Sequence, residues 1–118
     1  MKPIEKEELQ PVLESFMGGP VWLHLETTNG AYAATGMLGQ KQMAVCAFIR
    51  NGEVEISRAQ VAGEGPFRTG LQINGGWIYA EGLTDWELDD QGRLLLAGHD
   101  EGGRMAICVE LSRTPFPI

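Results

Sequence analysis

The sequence predicts a mainly β fold: one antiparallel barrel or pseudo-barrel domain with a short N-terminal α-helix. From residue 20 onward, short runs rich in β-branched and aromatic residues alternate between polar and apolar side chains. Asn-Gly dipeptides, which supply the positive φ angles of tight hairpin turns, lie between these runs at positions 29–30, 51–52 and 74–75. Runs such as 43–49 and 94–97 are apolar on both faces, which favours a sheet that curls on itself.

An amphipathic helix is expected over about residues 5–17. Apolar residues at positions 4, 9, 12, 13 and 16 recur at intervals of three and four and therefore share one helical face. Pro11 is tolerated in the first turn of a helix but not in its interior, so the regular part should start near Glu7. The Gly18-Gly19-Pro20 stretch ends it.

The β domain is expected over about residues 20–112. Its strands are placed near Val21–Thr27, Ala31–Ala34, Lys41–Arg50, Glu53–Ala62, Arg68–Ile73, Trp77–Leu83, Arg93–Ala97 and Arg104–Leu111. Residues 113–118 carry two prolines, which cannot donate ladder hydrogen bonds, so they should form an extended tail held by Phe116.

Length and charge limit the function classes. The chain of 118 residues has the size of a single domain, 1–118, and its formal charge of −7 disfavours nucleic acid as a partner. No signal peptide or membrane span is recognisable, so we expect a cytoplasmic protein without a membrane partner. Cys46 and Cys108 stand in apolar runs and are interpreted as core thiols, with no disulfide required. The sequence leaves open whether the protein forms a homo-oligomer.

The two histidines of the chain each lie beside an acid. Strand alternation puts Trp22, His24, Glu26 and Thr28 on one face of a strand, and His99 with Asp100 follows the strand that ends at Gly98. If the fold brought His24, Glu26, His99 and Asp100 together, they would match the ligand set of a zinc or iron site. The alternative is a pair of structural histidines. No cofactor is expected, although a divalent metal could bind.

A second cluster consists of Trp77, Tyr79 and Glu81, which alternation places on one face. Aromatic walls with one carboxylate could line a pocket for an amine-bearing ligand, whereas the same pattern also describes an amphipathic strand whose aromatics fill the core. Arg50 and Arg68 are candidates for orienting an anionic group.

Three familiar site types are disfavoured. The acidic stretch 85–92 has the wrong residues at two key positions of a calcium-binding EF-hand loop, so it is interpreted as a solvated turn. The serines lie in no Gly-x-Ser-x-Gly motif, and the Gly63–Arg68 stretch lacks the Lys-Ser/Thr ending of a phosphate loop.

Five segments in this order resemble the YojF family of small bacterial proteins. They are Trp22–Ala33, Phe48–Gly52, Trp77–Thr84, Arg93–Asp100 and Leu111–Phe116. The resemblance implies a mostly β single domain of unknown function, with no catalytic residues to carry over. Because family members are often found beside a sugar N-deacetylase of the bacillithiol pathway, it also implies an accessory role in low-molecular-weight thiol metabolism and that enzyme as a partner.

Two functional hypotheses follow. The leading one is a non-catalytic protein, more an accessory protein than an enzyme, that binds a small metabolite or docks on a partner enzyme. Its candidate ligand-binding residues are His24, Glu26, Arg50, Arg68, Tyr79, Glu81, His99 and Asp100. The alternative is a small metal-assisted hydrolase or isomerase that uses His24, Glu26, His99 and Asp100.

Overall fold

The strands form two antiparallel sheets, seen in a computed structural model that describes residues 1–27 and 47–118. The elements are β1 (Lys2–Pro3), α1 (Lys6–Glu14), β2 (Pro20–Thr27), β3 (Phe48–Glu55), β4 (Arg58–Gly63), β5 (Phe67–Ile73), β6 (Gly76–Leu83), β7 (Asp85–Leu88), β8 (Leu94–His99) and β9 (Met105–Ser112). Sheet A has the order β1-β7-β8-β9-β2-β3, and sheet B has the order β4-β5-β6.

One apolar core lies between the sheets. In β2, Val21 and Leu23 point inward and are almost fully buried, as the alternation predicts. Leu94, Leu96, Val109 and Leu111 do the same in β8 and β9, and they pack with Leu71, Ala80 and Leu83 of sheet B. Burial of each leucine side chain stabilises the fold by about 2 kcal/mol.

Helix α1 covers the edge of sheet B. Leu9 and Leu13 are fully buried against the core. The Gln10 side chain donates to the carbonyl of Ala59 (2.9 Å) and accepts from the amide of Val61 (2.8 Å), so it pairs with β4 as a neighbouring strand would. The predicted helix is confirmed, but Pro11 lies in its interior and not in its first turn.

The mainly β fold is confirmed, but within residues 1–27 and 47–118 the two sheets do not close into the expected barrel or pseudo-barrel. The chain passes from sheet A to sheet B between β3 and β4 and returns between β6 and β7, and neither passage is bridged by a strand ladder. The run 94–97 is apolar on both faces for another reason. Leu96 enters the core, whereas Leu95 lies partly buried on the outer face of sheet A.

The hairpins predicted at the Asn-Gly dipeptides are confirmed at one position and wrong at another. Asn74 and Gly75 form the predicted two-residue hairpin between β5 and β6, with Gly75 at φ 79°. The hairpin predicted at Asn51-Gly52 is wrong, because both residues lie inside β3. Asn51 has φ 59° and lies in a β-bulge of β3. Leu23 pairs with Gly52 and Leu25 pairs with Ile49, so an advance of two residues in β2 is matched by three residues in β3. The dipeptide at 29–30 lies outside the described residues.

Other boundaries also differ from the prediction. The single strand predicted over Glu53–Ala62 is divided at Ile56 and Ser57, where the chain changes sheets. The acidic stretch 85–92 is only half turn, because Asp85–Leu88 forms β7. The predicted strand 31–34, most of the strand 41–50, and Cys46 lie outside the described residues.

The backbones of the two sheets approach each other closely where Gly98 of β8 faces Gly82 of β6. A Cβ atom built on Gly98 would stand 2.1 Å from the Gly82 carbonyl oxygen and 2.6 Å from Cγ2 of Ile107. Gly98 is therefore required by the approach of another backbone, not by its own dihedral angles.

The described part of the chain contains no helix that is long and apolar enough to cross a membrane.

Candidate functional site

The eight predicted site residues form three separate groups. His24, Glu26 and Arg50 lie on the outer face of sheet A; His99 and Asp100 lie at the end of β8; and Arg68, Tyr79 and Glu81 lie on the outer face of sheet B. The first two groups share a sheet but do not meet. Strand β9 lies between β2 and β8, and His99 is four residues beyond Leu95, which shares a row with His24, so the two histidines are roughly 15 Å apart.

The prediction that two histidines and two carboxylates meet in one metal site is therefore wrong. His24 and Glu26 do project from the same face, as the alternation predicts. The residues that reach them come from β9, where Glu110 pairs with His24 and Cys108 pairs with Glu26. We call His24, Cys108 and Glu110, with Glu26 beside them, the outer cluster.

Short distances join the side chains of the outer cluster. His24 Nε2 lies 3.4 Å from Glu26 Oε2 and 4.0 Å from Glu110 Oε2, and the Cys108 thiol donates to Glu110 Oε2 at 3.5 Å. One donor atom from each of His24, Cys108 and Glu110 lies within 4.8 Å of the other two. These three residues therefore form a group that could hold a metal ion.

The environment of Cys108 differs from the core thiol that its apolar run suggests. The side chain is only partly buried and lies on the polar face of β9. Burial and the neighbouring carboxylates of Glu110 and Glu26 raise the pKa of the Cys108 thiol to about 12. The free thiol is accordingly protonated and a poor nucleophile at neutral pH.

The C-terminal tail and β3 cover His24. Although it lies on an outer face, the residue is only 6 % exposed, because the Phe48 and Phe116 rings pack edge-on against its ring. The Arg50 guanidinium lies 3.4 Å from His24 Nδ1, stacks on Phe116 and donates to the carbonyl of Pro117 at 2.8 Å. Phe116 is buried, as the sequence suggests for the residue that holds the tail.

Asn51 supplies the other attachment of the tail. Its side chain accepts from the Phe116 amide at 2.6 Å and donates to the Phe116 carbonyl at 2.8 Å. The bulge in β3 places Arg50 and Asn51 next to each other opposite the His24 position, so that both reach the tail.

His99 belongs to a separate pair with Asp85. His99 Nδ1 lies 2.8 Å from Asp85 Oδ2, and the Thr84 hydroxyl donates to the same oxygen at 2.7 Å. The hydrogen bond from Thr84 is the largest cause that lowers the pKa of Asp85, and His99 lowers it further. Since a carboxylate only accepts, His99 donates through Nδ1, and in the neutral ring Nε2 keeps its lone pair.

His99 of this pair lines an open cavity of about 740 Å³ at one end of the two sheets. We call it the end groove. It is lined by Pro3, Ile4, Gly65, Pro66, Phe67, Gly82, Leu83, Thr84, His99, Asp100, Glu101 and Ala106. Asp100 also shapes the turn after β8, because its carboxylate accepts the amides of Gly102 and Arg104.

The aromatic group on sheet B does not fill the core. Trp77 and Tyr79 stack in parallel with their centroids 5.6 Å apart and are largely exposed. The Tyr79 ring covers Gly70, on which a Cβ would stand 3.1 Å from the ring. Arg68 lies over Tyr79 and pairs with Glu81 at 3.6 Å between exposed side chains, a contact that contributes little to stability.

Sequence reasoning missed Cys108, Glu110 and Asp85. The alternation in residues 107–110 could have found the first two, because Cys108 and Glu110 are two residues apart and share a face. Asp85 could not be found in this way, because its contact with His99 depends on the pairing of β7 with β8.

Comparison with known proteins agrees with the fold and supplies a family. A family model described as "Protein of unknown function (DUF1806)" matches residues 3–116. The "Uncharacterized protein YojF" of Bacillus subtilis (strain 168) is 48% identical over 118 residues, which cover the whole of both chains. The crystal structure of Bacillus subtilis YojF matches with a TM-score of 0.81 and 44% identity, covering 99% of this chain and 97% of that one. The resemblance to YojF is thereby confirmed, and the chain belongs to the DUF1806 family of proteins of unknown function.

Proposed function

We propose that the protein binds a small molecule in the end groove, with His99 as the residue that recognises its polar group. The observation that carries this proposal is that His99, paired with Asp85, lines a cavity of about 740 Å³. Ligand sites commonly combine an apolar wall with a few fixed polar groups, and the end groove has this composition.

The pair determines the type of polar group. Asp85 holds the proton on Nδ1 of His99, so Nε2 presents a lone pair and takes a hydrogen-bond donor such as an amine, a hydroxyl or a thiol. Asp100 and Glu101 at the rim add negative charge, which favours an amine over a carboxylate or a phosphate. Pro3, Pro66 and Phe67 supply apolar surface for the rest of the ligand.

Binding is favoured over catalysis because the groove lacks a nucleophile. An Asp–His pair can serve as a general base, but no serine or cysteine is present among the described residues that line the groove. The Thr84 hydroxyl donates to Asp85 and accepts from the His99 amide, so it is already engaged in the pair. The expected partnership with a sugar N-deacetylase and the link to thiol metabolism stay proposals that rest on the family resemblance.

Three probes with one carbon skeleton test this function. Cyclohexylamine, cyclohexanol and cyclohexanecarboxylate are titrated into labelled protein, and amide chemical shifts are followed by NMR. We expect the amine to bind most tightly and the carboxylate not to bind, with shifts at Phe67, Leu83 and His99. Binding that is equal for all three probes, or shifts elsewhere in the described chain, would refute the proposal.

Two variants locate the site. Ala106→Phe places a ring in the groove and should abolish binding of the amine, whereas Gln91→Phe adds the same ring to the exposed turn before β8 and should not. His99→Leu keeps the apolar wall but removes the acceptor. His99→Leu should reduce the binding free energy of the amine by much more than it changes the free energy of unfolding.

A further inference from the structure

A second site lies on the outer face of sheet A, away from the end groove. We propose that the outer cluster binds a divalent transition-metal ion through His24 Nε2, Cys108 Sγ and the Glu110 carboxylate, and that Arg50 opposes binding by holding His24 Nδ1. This inference goes beyond the proposed small-molecule function and does not depend on it.

The distances come near those around a tetrahedral ion, since the three donor atoms lie within 4.8 Å of one another. Metal–ligand bonds of zinc place neighbouring ligand atoms about 3.3 to 3.8 Å apart. Cys108 Sγ to Glu110 Oε2 is 3.5 Å, and His24 Nε2 to Glu110 Oε2 is 4.0 Å. Glu26 Oε2, 3.4 Å from His24 Nε2, can supply the fourth ligand. Small side-chain rotations complete the site, because the backbone register already sets these residues side by side.

The donor set selects the metal. One sulfur, one imidazole nitrogen and two carboxylates suit Zn²⁺, Co²⁺ or Fe²⁺, whereas Mg²⁺ and Ca²⁺ require oxygen ligands almost alone. Two carboxylates within reach of one thiol and one imidazole also leave an excess of negative charge, which a divalent cation neutralises.

The position of Arg50 beside His24 Nδ1 opposes binding of the metal ion. A guanidinium can only donate, so its contact with His24 Nδ1 places the ring proton on Nε2, where it points at the carboxylates. A metal on Nε2 requires that proton to move to Nδ1, where it would face the Arg50 donor. As the metal–sulfur bond forms, the Cys108 proton passes to solvent. The ion and the contact between Arg50 and His24 therefore exclude each other.

Cobalt reports on the site directly. Co²⁺ is titrated into the purified chain, and absorption is recorded, because thiolate ligation gives an intense near-ultraviolet charge-transfer band. We expect this band for the native sequence, and we expect Zn²⁺ to displace it. Cys108→Ser should remove the band, and Glu110→Gln should weaken Co²⁺ binding by about 10- to 100-fold.

The chain offers two matched controls. Cys46→Ser removes its other cysteine and should leave the band unchanged. Arg113, like Arg50, stacks on a phenylalanine ring and donates to a backbone carbonyl, but its partners are Phe16 and Ser15. Arg50→Met should tighten Co²⁺ binding about tenfold, because it removes both a nearby positive charge and the opposing donor, whereas Arg113→Met should not.

Each result bears on one part of the proposal. Absence of the band in the native sequence, or its loss in Cys46→Ser with retention in Cys108→Ser, overturns the site. Unchanged or weaker binding in Arg50→Met overturns the role of Arg50. Circular dichroism of every variant separates loss of ligand from loss of fold, and failure of the end-groove titration leaves these outcomes unaffected.

Discussion

Replacement of Gly98 by alanine tests the close approach of the two sheets at Gly82. In most strands a Gly→Ala change stabilises slightly, by about 0.4 to 1 kcal/mol, because it restricts the unfolded chain. Here the new methyl group would stand 2.1 Å from the Gly82 oxygen, whereas real Cβ atoms essentially never come within 3.0 Å of a heavy atom outside their own residue and its chain neighbours. The clash with the Gly82 oxygen should therefore make Gly98→Ala destabilising instead of stabilising.

The magnitude follows from which atoms must move. Ile107 can rotate its side chain, but the Gly82 oxygen is backbone, so β6 and β8 must separate by almost 1 Å. Overpacking of this kind costs about 1 to 3 kcal/mol, and we expect the upper end, about 3 kcal/mol. The melting midpoint should fall by about 10 °C.

Urea unfolding followed by tryptophan fluorescence gives the free energy directly. Gly76→Ala is the matched control and should be neutral or slightly stabilising, since among the described residues no heavy atom beyond its chain neighbours lies within 4 Å of the place that its new methyl group would take. Gly52→Ala meets Cγ2 of the Ile49 side chain at 2.9 Å and the Leu23 carbonyl oxygen only at an ordinary 3.9 Å, so it should cost less than Gly98→Ala. If Gly98→Ala were as stable as Gly76→Ala, the described approach of the two sheets would be wrong.

Three further perturbations test the tail, the Asp85 pair and the thiol. Asn51→Gly keeps the positive φ of 59° but loses both hydrogen bonds to Phe116, so urea unfolding should show a loss of about 1 to 2 kcal/mol; an unchanged midpoint would contradict this role. The pKa of Asp85 is lowered from 3.8, so its stabilisation is present above that pH and is lost as pH falls through the lower folded-state value; Asp85→Asn should flatten the acid limb of stability measured by thermal unfolding. With its pKa at about 12 instead of 9.0, Cys108 should react with iodoacetamide roughly a thousandfold more slowly than an exposed cysteine when followed by mass spectrometry in Cys46→Ser protein, and comparable rates would refute the assignment.

Local patterns predicted the faces of the strands well. Alternation is a property of the extended backbone itself, so it placed His24 and Glu26 together and Leu23 in the core before any pairing was known. The Asn74-Gly75 hairpin was predictable for the same reason, because the turn and its two strands are contiguous.

Other features depend on contacts between distant residues. Asn51 takes the left-handed conformation that its type favours, but the pairing of β3 with β2 continues past it and turns the expected hairpin into a bulge. The transfer of the chain between sheets at Ile56 and Ser57 likewise depends on the shared core. The strand order of sheet A determines which side chains meet. It places β9 between β2 and β8, which separates His99 from His24 and brings Cys108 and Glu110 next to His24.

The amide of Gln10 has a consequence for self-association. An open strand edge offers unpaired backbone groups on which a second chain can add a strand, and β4 is an edge of sheet B. The Gln10 amide occupies the carbonyl of Ala59 and the amide of Val61 on that edge, in the manner of a single peptide unit. Helix α1 therefore guards the chain against aggregation through β4 as well as covering its core.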